Sequence, residues 1–260
     1  MMKIAVLVKE VPDTWGDRRI DPVTLRVDRH TDLVIDEINE KAVEVALLTK
    51  EAHPGSEVTV VTMGPPTALA VIRKALAMGA DTGIHVSDDG LAGSDAVQTS
   101  AALAAALEGR GFDLVITGNE STDGRTGAVP AMLAERLGFA QLTFMRTLEV
   151  GTDAASGERL TATGHVDVTA PLPAIVSVTE QIAEARYPSF KGIMSAKKKK
   201  VESLSIADLG LDISDTGGAH AWSAVEQVTE RPARQGGTII RDDGTAGTQV
   251  AEFLIAAKLI

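Results

Sequence analysis

Short apolar runs alternate with helical segments through the first 140 residues of this chain. The first run, residues 4–8, is rich in apolar and β-branched residues without strict polar alternation, which is typical of a strand buried on both faces of a parallel sheet. Further strands are predicted at residues 58–62, 83–86 and 114–117, and helices at residues 38–50, 68–77, 94–108 and 128–137. This order predicts an α/β fold with a doubly wound, mostly parallel sheet.

The pattern changes after residue 140. Strands are predicted at residues 146–150, 159–162, 166–169 and 174–179, with no long helix between them. We therefore expect one α/β domain over residues 1–200, which includes a small β appendage at residues 140–180. Residues 201–260 are interpreted as an extended C-terminal arm, because a Gly-, Ser- and Asp-rich stretch precedes a last helix at residues 248–259.

Composition argues against several kinds of function. The 260 residues include 36 acidic and 25 basic side chains, and the net charge of −11 argues against general binding of nucleic acid or anionic lipid. No cysteine is present, which excludes disulfides, thiolate nucleophiles and cysteine-held metal clusters. The five histidines are scattered singly, and we expect no metal site. Redox chemistry would therefore need a bound cofactor.

Hydropathy gives no sign of a membrane segment. Nowhere do about 18 apolar residues run together, and the apolar run near the N-terminus is too short for the apolar region of a signal peptide. We therefore expect no direct membrane insertion and a cytoplasmic location.

The loops after the predicted strands are candidates for ligand binding, because ligands of such sheets bind beyond the carboxyl ends of the strands. These loops follow residues 8, 62 and 117. The last one reads Gly118, Asn119, Glu120, Ser121, Thr122, Asp123, Gly124, Arg125, Thr126, Gly127. Its glycines, hydroxyl groups and arginine suit a phosphate group at a helix N-terminus, and an ordinary polar connection would be shorter. It lacks the P-loop spacing and lysine, so ATP hydrolysis is not predicted.

Residues 36–39 and Met63 are also candidates at this edge of the sheet, but each can be explained by a structural role alone. The helix predicted at residues 38–50 begins with the sequence Asp36, Glu37, Ile38, Asn39. We expect the Asp36 carboxylate to cap that helix. Met63 precedes a Gly-Pro pair that ends a strand and could also admit a nucleotide close to the backbone. The sequence contains no GxSxG elbow and no paired-carboxylate motif, so we do not expect an enzyme with catalytic residues of its own.

The segment of residues 186–200 combines apolar side chains with residues that favour a loop. Pro188 and Gly192 predict an irregular backbone. Tyr187 and Phe190 are two of only eight aromatic residues in the chain, and four lysines follow at residues 197–200. Two interpretations remain open, namely a surface that binds a partner or an ordinary surface loop with a solvated basic edge.

Four segments of the chain resemble the β subunits of electron transfer flavoproteins. They are residues 6–13, which read Val-Leu-Val-Lys-Glu-Val-Pro-Asp, residues 73–81, the 118–127 loop with the helix after it, and residues 172–176 leading into residues 186–200. The resemblance implies an α/β domain of adenine-nucleotide-binding type over residues 1–200, with a structural AMP. It further implies an α subunit that holds most of an FAD at the interface and on which the arm of residues 201–260 packs.

The resemblance implies an electron carrier without catalytic residues in this subunit. Electrons would pass from acyl-CoA dehydrogenases of fatty acid oxidation, and from related dehydrogenases, to the FAD. They would then pass to a quinone oxidoreductase of the respiratory chain.

Family positions carried onto this sequence give two sets of candidate residues. The AMP contacts fall on Leu7, Asp36, Glu37, Ile38, Asn39, Met63, Gly118, Asn119, Glu120, Ser121, Thr122, Asp123, Gly124, Arg125 and Thr126. The contacts with the dehydrogenase fall on Tyr187, Pro188, Ser189, Phe190, Lys191, Gly192, Ile193 and Met194, with Phe190 as the anchor. Trp15 is expected near the flavin, and Glu158 and Arg159 near the flavin or the α subunit.

Some positions depart from the family pattern. The family commonly shows Asn-Pro-Phe-Asp where this chain has residues 36–39, and Trp15 would supply the aromatic ring that Ile38 lacks. Ala183 and Ala185 replace Asn and Pro, and Ala162 stands where an acidic residue is common. These departures bear on the contact with the α subunit and on the rigidity of residues 186–200, here named the recognition segment.

Three alternatives are considered. In a bifurcating relative, a second FAD would replace the AMP. An adenine-nucleotide-binding stress or signalling protein on the same scaffold would have a Gly-x2-Gly-x9-Gly motif, which the glycines at 118, 124 and 127 do not match. An ATP pyrophosphatase would have a Ser-Gly-Gly-x-Asp-Ser signature near the first strand, and residues 9–14 contain none.

Overall fold

The computed structural model describes residues 1–16, 18–229, 232 and 236–260. The chain divides into two compact units, Met1–Glu226 and Gln227–Ile260. Among the residues described, no helix is both long and apolar enough to cross a lipid bilayer.

The first unit is an α/β structure built on one large sheet. Its strands are β1 Lys3–Leu7, β2 Glu10–Pro12, β3 Leu33–Ile35, β4 Glu57–Met63, β5 Thr82–Val86, β6 Leu114–Gly118, β7 Ala140–Met145, β8 Glu149–Val150, β9 Ala154–Thr161, β10 Gly164–Pro171, β11 Ala174–Val178 and β12 Val201–Leu204. Its helices are α1 Glu37–Ala52, α2 Leu69–Met78, α3 Ala96–Leu107, α4 Val129–Leu137 and α5 Phe190–Ala196.

The sheet confirms the predicted doubly wound fold. Its strand order is β10-β9-β7-β11-β6-β1-β4-β5-β12, and the strands from β7 to β12 in this order are parallel. The sheet therefore presents the carboxyl ends of β1, β4 and β6 side by side. The strands β2 and β3 form a separate antiparallel pair.

Each face of the sheet carries an apolar layer. Along β1 the side chains alternate, because Ile4 and Val6 pack in the layer with α1 and α2, while Ala5 and Leu7 pack in the layer with α3 and α4. Full burial of one Val, Leu or Ile side chain contributes about 1.5–3 kcal/mol. Burial on both faces explains why the sequence of this strand lacks polar alternation.

The region of residues 140–180 differs from the predicted appendage. The strand β11 is fully buried and lies between β6 and β7 in the parallel sheet. The strand β7 was not predicted, because Gln141 and Thr143 interrupt its apolar residues. Only β8, β9 and β10 form an antiparallel extension, which joins the main sheet through β9 and β7.

The C-terminal region also differs from prediction. Residues 201–226 belong to the first unit, because β12 pairs in parallel with β5 at the edge of the sheet. The described residues of the second unit include the helix α6 Ala246–Ala256, whose apolar side chains Val250, Phe253 and Ile255 are exposed. The proposed arm therefore begins at residue 227 rather than at residue 201.

Candidate functional site

The ends of β1, β4 and β6 meet the start of α1 at one edge of the sheet. A Cβ built on Gly118 would lie 2.7 Å from Cγ2 of Ile38 and 2.8 Å from Nδ2 of Asn39, so glycine is needed for α1 to approach the end of β6. Asn39 Oδ1 accepts a hydrogen bond of 2.8 Å from the backbone N–H of Lys9. The structure thus brings two groups of candidate AMP contacts together, namely residues 36–39 and the start of the 118–127 loop.

The two apolar candidates lie at the neighbouring strand ends. Leu7 is buried in the layer with α3 and α4, and Met63 packs against the same layer. The ends of β1 and β4 are joined where the Thr62 hydroxyl donates to the carbonyl of Val8 at 2.7 Å. Leu7 and Met63 therefore supply the apolar floor of this edge.

Asp36 does not cap α1 as the sequence predicts. It occupies the N-cap position, but its side chain makes no capping hydrogen bond. Its Oδ2 instead accepts from the backbone N–H of Thr122 at 2.7 Å and from the Thr122 hydroxyl at 3.1 Å. Competition from this second loop explains the wrong prediction, since Thr122 is 86 residues away in the chain.

The other carboxylate oxygen of Asp36 has no partner. Asp36 is 0% exposed, and Oδ1 makes no hydrogen bond to any residue that the structure describes. Burial raises the pKa of this carboxyl above its ordinary value, and the hydrogen bonds from Thr122 oppose that rise. Buried polar atoms are normally paired, so Oδ1 is an unsatisfied hydrogen-bond acceptor at this edge of the sheet.

Replacing Asp36 by asparagine is expected to stabilise the ligand-free chain at neutral pH. Asparagine can still accept from Thr122, and it removes an unpaired buried charge whose cost is about 1 kcal/mol, or about 2–4 °C in Tm. Because the folded pKa is raised, the unfolded carboxyl ionises first as pH rises, and the wild type loses stability until the folded carboxyl also ionises. Thermal unfolding of both chains from pH 4 to pH 7 should show the difference growing with pH. A constant difference would contradict it.

The 118–127 loop is held by ion pairs that the sequence did not reveal. Lys9 Nζ lies 2.7 Å from Oδ1 of Asp123, and an Arg29 terminal nitrogen lies 2.5 Å from Oδ2. Arg18 donates to the backbone carbonyl of Thr122. Burial alone would raise the pKa of Asp123, but Lys9 and the hydrogen bonds around it hold that pKa far below its usual range. Only the position of Lys9, directly after the first predicted strand, could have indicated this contact.

Several donors of this loop are already engaged within the protein. The Gly124 N–H lies 2.6 Å from Asp123 Oδ1, and the Arg125 N–H donates to the carbonyl of Ser121. Asn119 donates its N–H to the end of β11. Glu120 is half-buried, whereas Arg125, which has a φ of +49°, and Thr126 are exposed.

Two aromatic side chains lie near this edge. Trp15, in the connection between β2 and β3, is 93% exposed and free to contact a partner. Phe144, which sequence reasoning missed, packs beside Gly127, where a built Cβ would lie 3.7 Å from its ring. Its φ of +59° is unusual for a bulky residue and positions the ring toward the loop. Glu37 accepts a 3.3 Å hydrogen bond from Thr14 in the same connection as Trp15.

The candidate recognition segment contains a short helix. Residues 186–200 do not form one uninterrupted helix, as predicted, but Phe190–Ala196 within them form α5. Its cap is Ser189, whose hydroxyl accepts a 3.1 Å hydrogen bond from the Gly192 N–H. A Cβ on Gly192 would lie 2.2 Å from the carbonyl oxygen of Ala77, so this glycine permits contact with α2 rather than breaking a helix.

Four apolar side chains of this segment are exposed together. Tyr187 is 95% exposed and Phe190 81% exposed, and Ile193 and Met194 are about half exposed. We name these four residues the apolar patch. Such a patch is typical of a binding surface. Of the other predicted members, Pro188 is half-buried and Lys191 is exposed.

Both ends of the segment are anchored to the first unit. Arg186 donates from its side chain to Glu44 at 2.7 Å and to Glu51 at 2.6 Å, both on α1. Lys199 donates to the carbonyls of Leu76 and Ala80 at the end of α2, and burial lowers its pKa. The expectation of a solvated basic edge is therefore wrong for Lys199, which caps a helix end.

The remaining sequence candidates have local roles. Arg159 donates from Nε to the Thr143 carbonyl at 2.9 Å and ties β9 to β7. Glu158 lies 3.9 Å from both Arg146 and His165. Ala162 is exposed between β9 and β10. Ala183 and Ala185 pack against the apolar layer of α1 and α2, so alanine at these positions adds core contact.

Comparison with known proteins gives one consistent result. A family model described as the electron transfer flavoprotein domain matches residues 24–209. The chain is 50% identical to the electron transfer flavoprotein subunit beta of Mycobacterium leprae, over the full length of both chains. It is 33% identical to the subunit of the same name from Megasphaera elsdenii, again over both full lengths. It is also 33% identical to the caffeyl-CoA reductase-Etf complex subunit CarD of Acetobacterium woodii, over 98% of this chain and 97% of the other.

Proposed function

Because this chain belongs to the electron transfer flavoprotein family, as a β subunit, we propose that it is the electron carrier subunit that pairs with an FAD-holding α subunit. The carrier accepts electrons from acyl-CoA and related dehydrogenases and passes them to the respiratory chain through a quinone oxidoreductase. This subunit contributes binding surfaces and no catalytic residue. Its location is the cytoplasm.

The observation that carries the proposal is the apolar patch. An electron carrier must meet different proteins in turn, so its contact surface has to be exposed and yet hold its shape. Phe190 projects from α5, and the segment around it is fixed by Arg186 on one side and Lys199 on the other. An exposed aromatic anchor on a preorganised element is the usual arrangement of a binding hot spot.

The edge formed by the ends of β1, β4 and β6 is the proposed AMP site. Two observations support the fit of an adenine nucleotide. The buried Oδ1 of Asp36 needs a hydrogen-bond donor, which a ribose or an adenine amino group provides. Lys9 and Arg29 supply positive charge beside the 118–127 loop, as a phosphate requires. The flavin, held mainly by the α subunit, supplies the redox chemistry, and Trp15 is proposed to lie beside it.

A bifurcating subunit with a second FAD is the alternative within the family. The name of the relative from Acetobacterium woodii places that protein in a caffeyl-CoA reductase-Etf complex, and its identity to this chain is 33%. The relative from Mycobacterium leprae, at 50% identity, is named only as the β subunit of an electron transfer flavoprotein, with no reductase in its name. A stress or signalling protein is no longer favoured, since the family match covers most of the chain.

Expression with and without the α subunit tests the proposal. The purified chain alone should be colourless and bind AMP, and the coexpressed pair should be yellow, with flavin absorbance that copurifies with both chains. Tight flavin binding by the isolated chain would contradict the division of cofactors. A pair that forms without flavin would contradict the carrier function.

A further inference from the structure

Asp123 lies at the centre of a charge cluster that joins the 118–127 loop to a long connection. The described residues of this connection between β2 and β3, 13–16 and 18–32, are here named the strap. Lys9 lies just before the strap and Arg29 near its end, and each pairs with a different carboxylate oxygen of Asp123. Arg18, also in the strap, donates to the carbonyl of Thr122. The strap is thus fastened to the loop close to both of its ends.

The far side of the strap has an anchor of its own. The guanidinium of Arg26 packs against Gly93 and Gly218, where a built Cβ would lie 2.3 Å and 2.4 Å from it. The strap therefore reaches from the 118–127 loop to the connections around residues 93 and 218. Trp15 lies in the part between β2 and the Arg18 contact.

Asp123 fills the position of an anion in this cluster. Its side chain is 0% exposed, whereas the side chains of Lys9 and Arg29 remain 43% and 40% exposed. The Gly124 N–H and the Ser121 hydroxyl also belong to the cluster, since Gly124 donates to Asp123, and the Ser121 hydroxyl accepts from Lys9 and hydrogen-bonds with Asp123. Two cations, a backbone N–H and a hydroxyl are the donors that a phosphate group uses. In this arrangement a carboxylate of the protein holds them.

A phosphate is a stronger partner for these donors than a carboxylate. It carries up to two negative charges and more acceptor oxygens, so two cations favour it over one aspartate. Both cations retain solvent contact through which an anion can approach. Asp36 also engages the loop, but its carboxylate is buried and no cation pairs with it among the described residues. The phosphate is therefore expected on the Asp123 side.

We propose that Lys9 and Arg29 are phosphate-binding residues of this site, and that the phosphate of a bound nucleotide displaces Asp123 from them. This inference rests on the proposed nucleotide site and adds residues outside the family positions. Since Arg29 lies within the strap and Lys9 directly precedes β2, from which the strap continues, the exchange changes the position of the strap and the surroundings of Trp15.

Calorimetry with AMP and with adenosine tests the phosphate contact in the full chain. Lys9→Gln and Arg29→Gln should each weaken AMP binding about tenfold, as expected for the loss of one partly exposed charge-assisted hydrogen bond. Adenosine binding should change less than about twofold. The matched control is Arg110→Gln, which removes a cation paired with Glu202 at 2.7 Å and should leave both affinities unchanged.

The outcomes separate this inference from the proposed function. If the wild type binds AMP and both variants weaken AMP and adenosine equally, the cations only shape the loop and the inference is overturned. The inference is also overturned if inorganic phosphate binds but the affinity for AMP is no higher than that for adenosine, because the cations would then bind a free anion. If the wild type binds neither nucleotide nor nucleoside, the proposed AMP site itself fails.

Tryptophan fluorescence tests the displacement of the strap. In a Trp222→Phe background Trp15 is the remaining tryptophan. AMP should shift its emission, adenosine should not, and Arg29→Gln should abolish the shift. An emission unchanged by saturating AMP would overturn the coupling between the loop and the strap.

Discussion

Replacing Phe190 by alanine is expected to weaken binding of the dehydrogenase about 30-fold, without loss of flavin or AMP. Phe190 is 81% exposed in the free chain and has no core contact to lose, so its truncation removes only what it contributes to a complex. Removal of a central aromatic anchor costs about 2–4 kcal/mol in typical interfaces, and 2 kcal/mol is about 30-fold in a dissociation constant. The measurement is the KM for the carrier in a dehydrogenase-coupled assay, with released cofactors quantified in parallel.

Trp222→Ala is the control for Phe190→Ala. Trp222 is another exposed aromatic residue of the first unit, and it lies outside the apolar patch. Its truncation should leave the KM within about twofold of the wild type, which corresponds to less than 0.5 kcal/mol. If Phe190→Ala lowered cofactor content together with transfer, Phe190 would be a folding residue and the assignment of the patch would be wrong.

Replacing Arg186 by alanine is expected to lower the free energy of unfolding by about 2–3 kcal/mol. The change leaves the carboxylate of Glu44, which is 6% exposed, without its cation. Breaking a buried pair costs about 3–5 kcal/mol, and partial exposure of Arg186 places this case below that range. The Arg186 backbone N–H, 3.0 Å from Glu44, persists in the variant and limits the loss. Urea unfolding measures the effect.

Glu51→Gln is the matched control for Arg186→Ala. Glu51 accepts from the same guanidinium at 2.6 Å, but its side chain is mostly exposed. An exposed ion pair contributes about 0–1 kcal/mol, so this variant should be nearly as stable as the wild type. Equal losses in the two variants would show that burial of Glu44 is not the cause. The two variants should also differ in electron transfer. Arg186→Ala should transfer electrons less well because it loosens the recognition segment, whereas Glu51→Gln should not.

The sequence was sufficient to predict the parallel sheet but not to identify all of its strands. The strand β1 was recognisable because burial on both faces leaves a continuous apolar run. The strand β7 was missed because only one of its faces is apolar. Gln141 is exposed and Thr143 is half-buried. The strand β12 was assigned to an arm, since four residues at a sheet edge carry little pattern.

The location of the candidate site could be predicted from the sequence, but the ion pairs within it could not. Ligand loops follow from the carboxyl ends of parallel strands, which the order of elements already indicates. The partners of Asp123 are separated from it by 114 residues at Lys9 and 94 residues at Arg29, and no local pattern encodes such contacts. Asp36 was misassigned for the same reason, because the competing donor, Thr122, approaches only in the folded chain.

Quantifying the nucleotides released from the purified α–β complex tests the central claim most directly. A carrier subunit with a structural nucleotide predicts one FAD and one AMP for each heterodimer, with the AMP retained by this chain when the subunits are separated. Mass spectrometry of the denatured complex gives both identities and both amounts. Two FAD molecules and no AMP for each heterodimer would contradict the account and assign the chain to the bifurcating type.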